Sequence, residues 1–538
     1  MPKDIASMLS PPTFLAIGLA LLAQNTIWGI NEAPTRTIFY LWSALQIAIF
    51  ILLRNIPTYI FINTIFHSVF LTTTAIRRLY FHPLSSWPGH KRAALTKLYE
   101  AYLYFTGINA LEIRRLHRSH GDFLRTGPNE VAINNVEALQ LYSRQNFEVI
   151  RGPFYKVSAI VGDVNLISTR ESSRHKTLRG IWEQAFKTNA VKEYSPRVEL
   201  HVDRFIENLK ATEGKPFDCV PVICNMTFDI MADLGFGKDY GMQLGIGDPS
   251  YMGYMHKYMR IIAMTGALPT LSDLVPLLPQ HADTKAFQKK GRVMMEERIS
   301  LGKNRQDIFN HLLSADSESG RKLSHSELDS NAQLIIIAGA DTTSSVLSNL
   351  FRELALNPEI QERLYQEIMD AKIRNGGTKF DCENTKSLPY LQAVIDESLR
   401  LWPPVPAGAQ AQTGPSGATV AGRYIPPFTG VRVHHLSMLT DERYFPQGSR
   451  FWPERWLGEN RQEGVKDIRA FVPFSYGPHV CIGKHLAYNE MRLAVARTVE
   501  GFKVTLGEGF CEERYRDEWR DYFTVMIGGI EMVFRPRD

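Results

Sequence analysis

Apolar and polar positions are distributed unevenly along the chain. Between Asp4 and Glu32 there is no charged residue, and Thr13–Ile30 reads TFLAIGLALLAQNTIWGI. That is about the length a helix needs to cross a ~30 Å hydrocarbon core. Two more uncharged runs lie between Arg36 and Arg54 and between Arg54 and Arg77, the last made more polar by Pro57, Asn63, His67 and the threonines at 72 to 74. A cleaved signal peptide has a basic start and one short apolar stretch. Here Lys3 is offset by Asp4 and the apolar runs repeat, so residues 1–76 are predicted to be a retained membrane anchor of one to three transmembrane helices. The Arg77-Arg78 pair after the last run predicts that everything downstream faces the cytosol.

From Arg77 onward the pattern is that of a water-soluble domain, residues 77–538, entered through the Pro- and Gly-containing hinge FHPLSSWPGH (Phe81 to His90). Most of it has helical periodicity. Glu359 to Lys372 is amphipathic, with apolar residues at 360, 364, 368 and 371, and Ser330 to Arg352 is apolar nearly all round and so belongs in the interior. Strand signals are short: Phe123 to Arg125, Val131 to Asn134, Thr419 to Tyr424, Val431 to His434 and the alternating Tyr522 to Phe534. The expected fold class is mainly α with small β-sheets.

Composition narrows the function classes. With 44% hydrophobic residues and 22% charged, the chain has ample core material. A formal net charge of +5 gives no support to nucleic-acid binding. The five cysteines, Cys219, Cys224, Cys382, Cys481 and Cys511, are too sparse for a disulfide framework and contain no CxxC pair. No GxGxxG or GxxxxGK[ST] loop is present. Any reductant is therefore delivered by another protein.

The most informative stretch is FSYGPHVCIG, Phe474 to Gly483, followed by the helical KHLAYNEMRLAVARTVEGF. Glycines on both sides let the backbone aim N–H groups at the Cys481 sulfur, and the following helix N-terminus adds positive potential. Both effects favour thiolate. A single thiolate in such a loop suits the proximal ligand of a haem iron, whereas a lone buried cysteine is otherwise an inert thiol. Upstream, the interior helix carries AGADTT, Ala338 to Thr343, where Gly339 leaves space and Asp341 and Thr342 place polar groups where a buried helix wants Leu. Their plain alternative is back-bonding to the preceding turn. ESLR (Glu397 to Arg400) and FWPERW (Phe451 to Trp456) offer a carboxylate and two guanidinium groups, and HKTLR puts His175 and Arg179 at i, i+4.

Together these segments resemble the cytochrome P-450 family of haem-thiolate monooxygenases over nearly the whole of residues 77–538, with LHRSHGDFLRTGPNE and MTFDIMADLGFG resembling fungal membrane-bound members. The resemblance implies a single large cytochrome P-450 domain behind a transmembrane anchor, binding haem b with Cys481 as axial thiolate. Asp341 and Thr342 would conduct protons, and Glu397, Arg400 and Arg455 would lock the segment supporting the Cys481 loop. His175, Arg179 and His479 would meet the haem propionates, and Gly339 would lie against the haem face. Electrons would come from NADPH through a separate membrane-bound NADPH–cytochrome P-450 reductase, met by a proximal face including Lys484 and His485. O2, membrane lipid and a lipophilic substrate are the other implied partners. The implied setting is the endoplasmic reticulum membrane, with the catalytic domain facing the cytosol, and fungal secondary-metabolite biosynthesis. The reaction would be hydroxylation or epoxidation. Alternatives are a haem-thiolate isomerase or dehydratase working without O2 and a non-catalytic haem-binding membrane protein.

Two positions depart from the family pattern: His479 stands where members usually have Arg, and Ala411 where many have another propionate-binding Arg. The substrate pocket is expected to draw on the stretch after Phe147, on Tyr251 to Leu278, on Ile335 to Ala338 and on Val405 to Ala409, with Ala263, Gly266, Ala267, Ala407 and Gly408 making room. The sequon Asn225-Met226-Thr227 is expected to stay unused on a cytosolic domain.

Overall fold

The computed structural model describes residues 11–28, 35–143, 149–157, 163–302, 305–314, 320–458 and 460–537. The end of the first apolar run, Gly29-Ile30, and Phe147, Glu148 and residues 158–162 lie outside them, whereas residues 149–157 of the stretch after Phe147 are described.

The three apolar runs are helices: Pro11–Trp28, Thr35–Leu53 and Ile56–Ile76. Asn55 caps the third by accepting a hydrogen bond from the Thr58 backbone N–H at 3.1 Å. Ala16 and Ala20, at i, i+4, are buried where the first helix packs along the third. Small residues at that spacing let two helices approach closely where no hydrophobic effect drives them together. Length and apolarity alone would admit four membrane spans among the described residues, and burial separates them. Arg36–Leu53 and Ile56–Phe81 are 0% buried, whereas Cys219–Phe236 and His325–Leu356 are 72% and 78% buried. The last two are core helices. Arg78 does not end the anchor as a loose cation, because its guanidinium reaches Leu95 O and its own carbonyl accepts from Arg125 at 2.8 Å. The hinge that follows is pinned as well, with Leu84 and Trp87 buried and Pro88 O accepting from Arg125 N at 2.7 Å.

Inside the domain, the helices Cys219–Phe236, His325–Leu356, Pro389–Leu401 and Lys484–Gly501 share one continuous apolar core. The amphipathic pattern at Glu359 becomes Pro358–Arg374, with Ile360, Leu364, Ile368 and Ala371 buried. A five-stranded sheet lies to one side, in the order Phe123–Gly127, Glu130–Ile133, Gly430–Val433, Gln410–Gln412 and Ile150–Arg151. The second and third strands run parallel and the other neighbours antiparallel. Two expected strands are hairpins instead. Thr419–Tyr424 breaks at Ala421 and Gly422 (φ 46° and 76°), so that Ala418–Val420 pairs with Arg423–Ile425. Tyr522–Phe534 divides at Phe523, and only Glu531–Pro536 enters a larger sheet, a separate three-stranded one between Phe217–Asp218 and Phe502–Leu506.

The segment below the Cys481 loop is held by one buried carboxylate. Glu397 accepts two bonds from Arg400, at 2.8 and 2.8 Å, and one from Arg455 at 3.0 Å, all three side chains being 0% exposed. Trp452 N and Trp456 Nε1 complete its shell at 2.8 and 3.0 Å. The guanidinium groups spend their remaining N–H groups on the carbonyls of Leu439, Pro446, Gln447, Gly448, Arg450 and Gly464. Removing one member strands a buried charge, which costs about 3–5 kcal/mol. Glu397→Ala is therefore expected to lower unfolding stability by that amount. Removing the exposed Arg363–Glu454 contact by Arg363→Ala should cost below about 1 kcal/mol. Chemical denaturation of both variants measures the difference.

Candidate active site

Cys481 sits in a tight loop between the short turn Gly477–His479 and the helix Lys484–Gly501. Its N–H bonds Phe474 O at 2.9 Å, and Val480 N bonds Gly477 O at 3.0 Å. Gly477 is required there: its φ is 71° and a Cβ would lie 1.6 Å from Tyr142 O. The backbone N–H groups of Gly483 and Lys484 do point at the sulfur, but burial outweighs them and the charges of Arg179 and Lys484, and raises the thiol's pKa. The loop N–H groups thus act in the expected direction, against burial. Bringing a cation such as iron to the sulfur would reverse the balance.

The sulfur opens onto a cavity of about 340 Å³ bounded by the Cys481 loop on one side and the His325–Leu356 helix on the other. That helix is not uniform: residues Ile337–Asp341 form one π-helical turn between α-helical halves. Such turns disturb the i→i−4 ladder and occur preferentially at functional sites. Three hydroxyls serve the carbonyls here. Thr342 Oγ1 donates to Ala338 O at 2.7 Å, Thr227 Oγ1 to Ala340 O at 3.0 Å and Ser344 Oγ to Asp341 O at 3.0 Å. Thr342 lines the cavity, so back-bonding and an open cavity face coexist in it. Asp341 is not among the lining residues. Its Oδ1 is 3.2 Å from His256 Nε2, and its buried Oδ2 has no partner among the described residues. Gly339 lines the cavity, but the space it leaves is taken by Met231, whose Sδ would be 2.4 Å from an added Cβ.

At the cavity's edge a basic group of four residues meets. His175 and Arg179 come from the helix Ser172–Ala185, His479 from the Cys481 loop and Arg151 from the edge strand. The two imidazole rings are 4.1 Å apart. Burial, with the nearby charges of Arg151 and Arg179, pushes His175 down to about 4 and His479 to about 2. Both are neutral at pH 7, so the lasting positive charge belongs to the two arginines. Sequence reasoning missed Arg151. It lies directly across the strand pair from Ala411, so a guanidinium stands opposite the position that lacks one. Arg151 is 8% exposed, and its Nε, like His479 Nδ1, is buried with no partner among the described residues. Orphaned donors beside fixed cations are a receptor for carboxylates. A second cleft of about 1070 Å³, lined by the same four residues, continues from this corner. These features fit a haem, with its iron toward Cys481 and its propionates toward the basic corner.

The opposite part of the cavity is apolar. Tyr258, Met259 and Ile262, Ile335 to Ala338 except the buried Ile336, and Val405 and Ala409 line it, in agreement with the expected segments. The expected small residues do not line it. Ala263 and Ala267 pack in a cluster with Phe154 and Tyr155, and a Cβ at Gly266 would meet the Phe154 ring at 2.7 Å. They seat an aromatic wall. Phe523, stacked on Phe154 at 5.6 Å, completes it in a left-handed conformation (φ 79°) rare for a bulky residue. The neighbouring Thr524 presents a buried hydroxyl with no partner among the described residues. The remaining cysteines are away from the cavity, and Asn225 lies in a helix whose Thr227 is fully buried.

The cytochrome P450 family model matches residues 104–526. The chain belongs to the cytochrome P450 family. It is 32% identical over 475 residues to the cytochrome P450 monooxygenase FCK2 of Fusarium pseudograminearum, covering 87% of this chain and 84% of that one. It is 30% identical over 483 residues to the trichothecene C-15 hydroxylase of Fusarium sporotrichioides, with 87% and 96% covered. Averantin hydroxylase of Dothistroma septosporum is 29% identical over 441 residues, with 81% and 83% covered. Among solved structures, the cytochrome P450DA heme domain superposes with a TM-score of 0.70 at 17% identity, covering 84% of this chain and 98% of that one. The protein is accordingly a haem-dependent monooxygenase with a Cys-thiolate-ligated haem, supplied with electrons by a redox partner.

Proposed function

We propose that this chain hydroxylates or epoxidises a lipophilic small molecule in fungal secondary metabolism, with Cys481 as the iron ligand. The observation that carries the reading is Cys481 opening, through a glycine-dependent loop, onto an apolar cavity walled on the other side by the π-turned helix. The relatives' hydroxylase activities support the reaction type. When bound, the haem supplies activation of dioxygen and transfer of one oxygen atom to the substrate.

The chain's own residues do the rest. Gly483 and Lys484 N–H groups stabilise charge on the Cys481 sulfur. Arg151, Arg179, His175 and His479 hold the propionates, Arg179 also bonding Val480 O at 2.7 Å and so tying the cradle to the Cys481 loop. The aromatic wall of Phe154, Tyr155 and Phe523 excludes water and seats an apolar substrate. Thr342 holds a proton at its hydroxyl on the cavity face, and Asp341 next to it takes and gives protons. Residues 1–76 anchor the domain in the endoplasmic reticulum membrane with residues 77–538 on the cytosolic side, where an NADPH–cytochrome P450 reductase meets the surface near Lys484 and His485.

Two measurements test this. The reduced protein treated with carbon monoxide should show the red-shifted Soret band of thiolate ligation, lost in Cys481→Ser, and product formation should require both NADPH and reductase. A normal band in Cys481→Ser would remove that residue from the ligand role. For the cradle, Arg151→Ala and Arg179→Ala should each speed haem loss to apomyoglobin about tenfold or more, one charge-assisted hydrogen bond being worth roughly 1.5–3 kcal/mol. His479→Ala, which removes a neutral ring, should change it less. Equal haem loss from all three variants would refute the assignment of charge to the arginines.

A further inference from the structure

Asp341 has one described hydrogen-bonding partner for its carboxylate, His256, and that residue is part of no motif. His256 lies on the helix Ser250–Gly266, packed beside the helices Leu98–Thr106 and Ala282–Ser300. Its Nε2–H meets Asp341 Oδ1 at 3.2 Å, and 26% of its side chain is exposed against 4% for Asp341. One end of the pair therefore reaches solvent and the other is sealed inside the protein. A sealed carboxylate exchanges protons with water only through a neighbour, and imidazole is the side chain whose titration falls nearest physiological pH.

We propose that His256 is the residue through which protons enter Asp341 from solvent. This rests on the monooxygenase reading above and adds a residue to it. The transfer balances in one proton. Nδ1 takes a proton from hydronium at the solvent side, leaving water, the Nε2 proton passes to Asp341 Oδ1, and the ring is left neutral with its proton on Nδ1 beside a neutral carboxyl. Rotation of that carboxyl passes its proton to the Thr342 hydroxyl oxygen, which releases its own proton toward the cavity; Asp341 returns as carboxylate, and proton exchange with solvent restores Nε2–H on the ring.

The other charges near this helix are engaged elsewhere. Lys257 pairs with Asp283 at 3.3 Å, Arg260 bonds Phe105 O at 3.0 Å, Lys290 pairs with Asp248, and Arg292 bonds Asp329 at 2.7 Å. Glu100 faces Lys97 and Arg432, Asp521 accepts from Asn109 and from Phe523 N, and Arg520 bonds Trp519 O. Asp341 is the charge that His256 feels. Burial opposes the imidazolium, and the hydrogen bond and charge of Asp341 overcome it, so the ring's pKa is raised. The competent imidazolium is then present below that raised pKa and lost as pH rises through it.

The test uses the full-length holoenzyme with reductase and NADPH, comparing wild type, His256→Gln and Asp341→Asn. Glutamine keeps an N–H for Asp341 but does not titrate, so a merely structural role would survive it. Expected for His256→Gln are a kcat lowered about tenfold to a hundredfold at unchanged KM, loss of the alkaline limb of the pH profile, a larger solvent isotope effect, and more NADPH diverted to peroxide. Independently of turnover, NMR titration of the His256 ring should show its pKa falling in Asp341→Asn. A glutamine variant with wild-type kcat and pH profile, or a ring titration insensitive to Asp341→Asn, overturns the proposal while leaving the monooxygenase reading intact. Wild-type holoenzyme that makes no product with any lipophilic candidate giving a substrate spin shift overturns that reading, and this one with it.

Discussion

The structure depends first on a carboxylate that cannot leave. Glu397 is buried between Arg400 and Arg455, and the two guanidinium groups extend from it to six backbone carbonyls between Leu439 and Gly464. Isolated, any one of these charges would be intolerable in the interior. As a satisfied network they are costly to break at any point, and the loss would be felt by the whole irregular segment they bind. That segment has little regular secondary structure to fix its shape, and it leads directly into the Cys481 loop. Rigidity in the loop therefore comes from charge pairing one layer below it, with Gly477 contributing the one backbone conformation that lets the loop pass beneath Tyr142.

Across the cavity, the same problem of buried polar groups is solved with hydroxyls. The π-turn at Ile337–Asp341 interrupts a helix buried over most of its length, and Thr227, Thr342 and Ser344 meet its carbonyls. The rest of the wall is mostly apolar and aromatic, with Asn165, Ser168, His435, Ser475, Glu490 and Thr524 as further polar members, and its fixed cations are confined to the basic corner. Confinement keeps the intervening space dry enough for an apolar ligand, and fixed charges act more strongly where water is excluded.

How much of this could be read from the sequence follows from how each feature is encoded. The Cys481 loop, AGADTT, ESLR and FWPERW are contiguous, and each carries residue types whose chemistry has few other uses in that combination. The helices were legible because their apolar periodicity is long. What escaped depends on pairing between distant segments. Arg151 gains its place from a two-residue strand lying opposite Ala411, and two residues have no periodicity to detect. His256 meets Asp341 across 85 positions of sequence. The breaks at Ala421 and Phe523 hid because non-glycine residues adopt left-handed conformations there, against their local preference. Gly339 and Gly266 were seen as space-makers, but the neighbours that use the space, Met231 and Phe154, are set by tertiary packing.

Histidine shows why residue type alone left the site's charge undecided. His175 and His479 lie near Arg151 and Arg179, and burial together with like charge removes their protons, leaving the corner with two permanent cations and two neutral rings. His256 is also shielded, yet one carboxylate at 3.2 Å reverses the outcome. A receptor for a permanently anionic group gains from charge that does not vary with pH, which arginine supplies. A position that must gain and lose a proton in each cycle needs a group whose two states are close in free energy, and a partly exposed imidazole balanced between burial and a carboxylate meets that requirement. The basic corner and the Asp341 contact thus use one residue type in opposite ways, and the difference lies in which charged neighbour the fold places beside each ring.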